Sequence, residues 1–184
     1  MSALPQDELY TIKYIESLPE GQRAELLDGE LYDLAAPAVV HQQLIAQLTR
    51  VIGNHIDAHN GRCRVFPAPF AVYPNGLDDE YNYLEPDISV VCDTQKLENG
   101  KGCDGAPDWV IEVTSPSTRS RDYLYKLDKY RQAGVKEYWI INPDTRNVMV
   151  YDFMQKNGSD NYTFEDRIPA RVFSGLYIKP GSLM

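Results

Sequence analysis

The chain has no apolar run near the roughly 18 residues that a membrane-spanning helix needs. Its start, MSALPQDELYTIKYIESLPEG, lacks the basic-then-apolar pattern of a secretory leader. Cysteine is scarce: Cys63, Cys92 and Cys103 are widely spaced, make no CxxC pair and leave one odd. A reducing cytoplasm is the simplest setting for such a chain. Positive charge is short too, with 18 Lys and Arg against 27 Asp and Glu and a formal net charge of −9. That balance argues against a protein held on nucleic acid by charge alone. No Gly-rich phosphate loop and no Gly-x-Ser-x-Gly elbow occurs. His55 and His59 have the spacing of a helical zinc pair, but Ile56-Asp57-Ala58 between them lacks that motif's Glu.

What is present describes one globular domain over residues 1–184, with 43% apolar and 24% charged residues. Residues 10–18 predict a short helix stopped by Pro19 and Gly21. In Ala24 to Tyr32, Asp28-Gly29 sits between apolar pairs and predicts a hairpin, because Gly accepts the positive φ of a tight turn. Val40, Leu44, Ile45, Leu48, Val51, Ile52 and Ile56 form one apolar stripe and predict a long helix, with Gly61 as its left-handed cap. Strands are expected over 62–66, 70–73, 88–92, 109–114 and 138–141, a loop over 99–105, and a helix over 120–133 ended by Gly134. Segments 147–152 and 162–165 predict a closing hairpin. The fold class is α/β (α+β), a central mixed β-sheet flanked by helices, with a strand–helix–strand crossover in its second half.

The chemistry concentrates in the middle of the chain. Pro86-Asp87 puts an acid at the mouth of one strand, and Trp109-Val110-Ile111-Glu112-Val113-Thr114 puts another inside a second strand. With a period of two, Glu112 shares a face with Val110 and Thr114, where a carboxylate must be paired, wet or cation-bound. If the two strands are neighbours, Asp87 and Glu112 converge on one divalent ion, and oxygen donors suit Mg²⁺ or Mn²⁺. Asp122 and Lys126 lie i, i+4 on the next helix. They read either as a surface ion pair or as a lysine aimed at Glu112 and oriented by Asp122. Between Arg119 and Lys136, six cations face two acids, and this basic strip makes Arg119, Arg121 and Lys129 candidate contacts to substrate.

These residues, from Glu85-Pro86-Asp87 through Ala106-Pro107-Asp108, Glu112 to Thr118, Asp122, Lys126, Tyr130 and Ala133 to Trp139, resemble the bacterial putative restriction endonuclease domain family. Leu27-Asp28-Gly29-Glu30-Leu31 and Pro37…His41-Gln42 extend the resemblance over most of residues 10–153. It implies a restriction-endonuclease-like PD-(D/E)XK fold, with Asp87 and Glu112 as the motif acids and Lys126 as the basic residue moved onto the following helix. Thr114 stands where that lysine is usual. Glu30, His41 and Asp108 match further family positions and are auxiliary candidates.

The expected function is a Mg²⁺- or Mn²⁺-dependent DNA endonuclease. The alternatives are an inactive descendant that binds nucleic acid or protein, and a hydrolase of smaller phosphate esters. Edge strands and the segment 75–83, together with the pairing habit of such nucleases, point to a homodimer.

Overall fold

The computed structural model describes residues 9–34, 36–114, 121–155 and 158–184. A short helix, α1 (Ile12–Glu16), precedes a hairpin of β1 (Ala24–Leu27) and β2 (Glu30–Asp33). Its two-residue turn has positive φ at Asp28 (51°) and Gly29 (81°), the requirement of a tight hairpin turn. The long helix is α2 (Val39–Ala58), and its buried face is Leu44, Ile45, Leu48, Ile52 and Ile56, as the stripe requires. Its left-handed residue is Asn60, φ 49°, in place of the expected Gly61. Asn is the side-chain-bearing residue that tolerates this conformation best.

The main sheet has six strands in the order β10-β9-β8-β7-β5-β3. They are β3 (Arg64–Pro67), β5 (Ile88–Val91), β7 (Trp109–Val113), β8 (Glu137–Asn142), β9 (Asn147–Asp152) and β10 (Gly158–Thr163). The β7–β8 pair is parallel and the other neighbours are antiparallel, so the sheet is mixed. The parallel pair requires a crossover, which carries a π-helical turn (Arg121–Lys126) and α3 (Leu127–Ala133). Gly134, φ 95°, ends α3 as expected. β4 (Val72–Tyr73) pairs in parallel with β6 (Cys103–Asp104), which falls in a stretch the sequence reads as loop. A terminal pair, β11 (Ile168–Pro169) with β12 (Tyr177–Ile178), is a further addition.

Alternation along β7 divides the core. Trp109, Ile111 and Val113 join the α2 stripe on one face of the sheet. Val110 joins Tyr130 of α3, Tyr138, Ile140 and Leu27 of the hairpin on the other. That second layer roofs the face to which Glu112 belongs. Cys63 and Cys92 form a disulfide, a pairing the spacing alone does not indicate. They continue the β3/β5 register one step beyond Arg64↔Val91, which places them opposite each other. Cys103 is a buried free thiol. Among the described residues, no helix is long and apolar enough to cross a membrane.

Candidate active site

The antiparallel register of β5 and β7 pairs Ile88 with Ile111, so Asp87 and Glu112 are the next opposed positions. The Asp87 backbone N–H lies 3.3 Å from Glu112 Oε2, and Asp87 Oδ2 accepts the Val113 N–H at 2.7 Å. The first turn of α2 brings His41 to the same place, with Nε2 3.1 Å from Asp87 Oδ2. Each acid therefore reaches the backbone of the other's strand. This reciprocal bonding fixes both carboxylates without a side-chain tether between them.

The crossover supplies the rest. Lys126 Nζ donates to Glu112 Oε1 at 2.8 Å, and the Tyr130 hydroxyl donates to the same oxygen at 3.1 Å. Lys126 closes the π-helical turn and Tyr130 lies one α-helical turn on, so both face the sheet. Burial, with the Glu112 and Glu25 carboxylates nearby, pushes the Tyr130 phenol well above its usual range and keeps it a donor. Lys126 Nζ also donates to Glu25 Oε1 at 2.8 Å. Glu25 is absent from the sequence candidates, yet it is wholly buried in β1. The signal for it is modest: an acid between Ala24 and Leu26, one residue pair before a tight turn.

Asp108, Glu30 and Lys129 make hydrogen bonds and ion pairs outside this cluster. Asp108 precedes β7 at its far end, four residues from Glu112 or roughly 13 Å along a strand. There it accepts the Cys92 N–H at 2.7 Å and pairs with Lys136 at 2.6 Å. Glu30 is exposed on the hairpin and accepts the Tyr32 hydroxyl at 2.7 Å. Lys129 is buried along its stem and its ammonium lies 2.6 Å from Asp28 Oδ1. Arg119 lies outside the described residues, as do the side chains of Arg121 and Asp122.

Two carboxylates, Glu25 and Glu112, thus hold one lysine, and Glu112 links them to Asp87, which has His41 alongside. Among the described residues, no three of His, Cys, Asp and Glu gather into a cation cage. The donors fit Mg²⁺ or Mn²⁺ in a sparser way, since Mg²⁺ commonly takes one or two carboxylates and completes its shell with water and phosphate oxygens. Glu112 Oε1 faces Lys126 and Tyr130, while Oε2 is on the Asp87 side.

The family model described as "Uma2: Putative restriction endonuclease" matches residues 8–178. The chain belongs to the Uma2 family. A crystal structure of "a putative nuclease belonging to DUF820" from Anabaena variabilis is similar to it, with a TM-score of 0.75 and 22% identity. The alignment covers 94% of this chain and 96% of that one, and it shows a common fold. No curated protein gave a match. Uma2 membership and the mixed sheet flanked by helices agree with the PD-(D/E)XK-like architecture expected from the motif string, and they make the chain nuclease-related.

Proposed function

We infer that this Uma2 chain is a divalent-metal-dependent DNA endonuclease that hydrolyses phosphodiester bonds. The observation that carries the reading is that Glu112 on β7 is within hydrogen-bond reach both of Asp87 at β5's mouth and of Lys126 from the crossover. Asp87 and Glu112 would hold Mg²⁺ or Mn²⁺. A bound cation supplies a polarised water and a counter-charge for phosphate. Val113 N–H and His41 fix the Asp87 carboxylate. The Lys126 ammonium is a fixed positive charge beside Glu112, placed to offset negative charge developing on a phosphate group. His41 keeps Asp87 oriented from the α2 side.

The test is Mn²⁺-dependent cleavage of supercoiled and single-stranded DNA by wild type and Glu112→Gln. Wild type is expected to nick, and the variant to lose roughly 10²–10³ in rate. Equal cleavage by both would remove Glu112 from the reaction.

A second reading, an inactive descendant that binds nucleic acid or protein, draws on the same cluster. Lys126 bonds to Glu25 and Glu112 together, an arrangement that also serves as a buried structural ion pair. On that reading wild type binds labelled DNA or a partner without cutting, and Mn²⁺ leaves the affinity unchanged.

A further inference from the structure

We propose that Glu25 is a positioning residue, which keeps the Lys126 ammonium at the site when Glu112 commits its carboxylate to a cation. The consequence for cleavage rests on the endonuclease reading above, whereas the hold itself rests on geometry. Glu25 belongs to the β1–β2 hairpin, which is outside the six-stranded sheet. The hairpin is laid against the segment leading to Asp87, with Leu26 N–H bonded to Tyr83 O and Tyr83 N–H to Leu26 O. Glu25 Oε1 accepts the Glu85 N–H at 3.0 Å and the Lys126 Nζ at 2.8 Å. One oxygen thereby ties the ammonium to the backbone two residues before Asp87.

Glu112 cannot perform this task alone. Its Oε1 receives both Lys126 and Tyr130, and its Oε2 is on the Asp87 side. If Asp87 and Glu112 held a divalent cation, the Glu112 carboxylate would be shared with it and the Lys126 ammonium would be repelled, strongly in a site poor in water. Glu25 is a second anion bonded directly to Lys126, and its link to Glu85 does not involve Glu112. It supplies the attraction that outlasts the change at Glu112. A wholly buried carboxylate is costly without such a partner, and Glu25 is 0% exposed while Lys126 is 3% exposed. A salt bridge that served only the fold would be indifferent to whether a cation is bound. The proposed role is not.

The experiment follows the lysine Nζ signals of the full chain by ¹⁵N NMR, with the Lys126 signal identified by its loss in Lys126→Arg. In wild type the signal is expected to stay sharp and slow to exchange with water, without and with Mg²⁺. In Glu25→Gln, which keeps the shape and drops the charge, addition of Mg²⁺ is expected to broaden the signal into exchange. In the cleavage assay the same variant should lose roughly 10–100-fold in kcat while its Mn²⁺ Kd stays within about threefold. Glu25→Asp, which keeps the charge but retracts it by one methylene, should fall between the two. Equal signals in wild type and Glu25→Gln with Mg²⁺ present would overturn the proposal, as would equal kcat. If Glu25→Gln does not fold, Glu25→Asp decides by the same comparison. Should wild type cut no DNA, the endonuclease reading falls, and the ammonium signal still decides whether Glu25 holds Lys126.

Discussion

Replacing Lys126 by Met removes the cation from a buried cluster while keeping most of its volume. Lys126 is 3% exposed and bonded to Glu25 at 0% and Glu112 at 4%, so water cannot readily take its place. Breaking a buried pair by deleting one partner costs about 3–5 kcal/mol, because a charge is left uncompensated. For a chain of this length each kcal/mol shifts Tm by about 2–4 °C, so the variant should melt about 6–20 °C lower at pH 7. Adding Glu25→Gln to Lys126→Met should restore more than half of the loss. Urea and thermal unfolding followed by circular dichroism at pH 7 measure both the cost and its recovery. A cost under about 1 kcal/mol would mean that Lys126 behaves as a solvated surface group and would refute the reasoning.

Burial raises the Glu137 carboxyl above its usual range, against the Arg171 and Val172 N–H groups and the Trp139 indole that bond to it. Its contribution to stability should decline as pH rises from about 4.3 through that raised value. Melting curves from pH 4 to 7 should lack this slope in Glu137→Gln. The hydrogen bond from Lys129 lowers the Asp28 pKa, so this pair's stabilisation is present above about 3.9 and lost as pH falls through the lowered value. Asp28 is 73% exposed, so Lys129→Met should cost under about 1 kcal/mol at pH 7, and less in high salt. The Cys63–Cys92 bond closes a separation of 29 residues, and Cys63→Ser with Cys92→Ser should lower the unfolding free energy by about 2–4 kcal/mol in urea titrations.

Local rules were enough where the structure is local. The Asp28-Gly29 turn, the α2 stripe and the Gly134 cap each depend on neighbours within one or two turns of chain. The alternation in β7 that sets Glu112 apart from Ile111 is equally short-ranged. The features that were missed are ones that depend on distant partners. β6 is two residues long and exists through its pairing with β4, and β11 with β12 likewise. The Cys63–Cys92 bond follows from strand register, which spacing does not encode. Glu25 looks like an ordinary wet position of a hairpin in sequence. Its burial is decided by Lys126 and by the segment before Asp87, neither of which lies near it along the chain. The choice at position 60 rather than 61 turned on which of two neighbouring residues adopts the left-handed conformation.

The bond between Glu25 and Lys126 joins residues 101 apart in sequence. Contacts of such long range form late, because the chain entropy of closing the loop is spent before the contact returns anything. During synthesis, β1, the mouth of β5 and β7 all emerge before the lysine that completes the charge arrangement. A nascent chain that stops short of residue 126 carries the acids and lacks their counter-charge. Assembly of the cluster is thus tied to completion of the crossover, and the last of its charged groups to appear is the one that makes it whole.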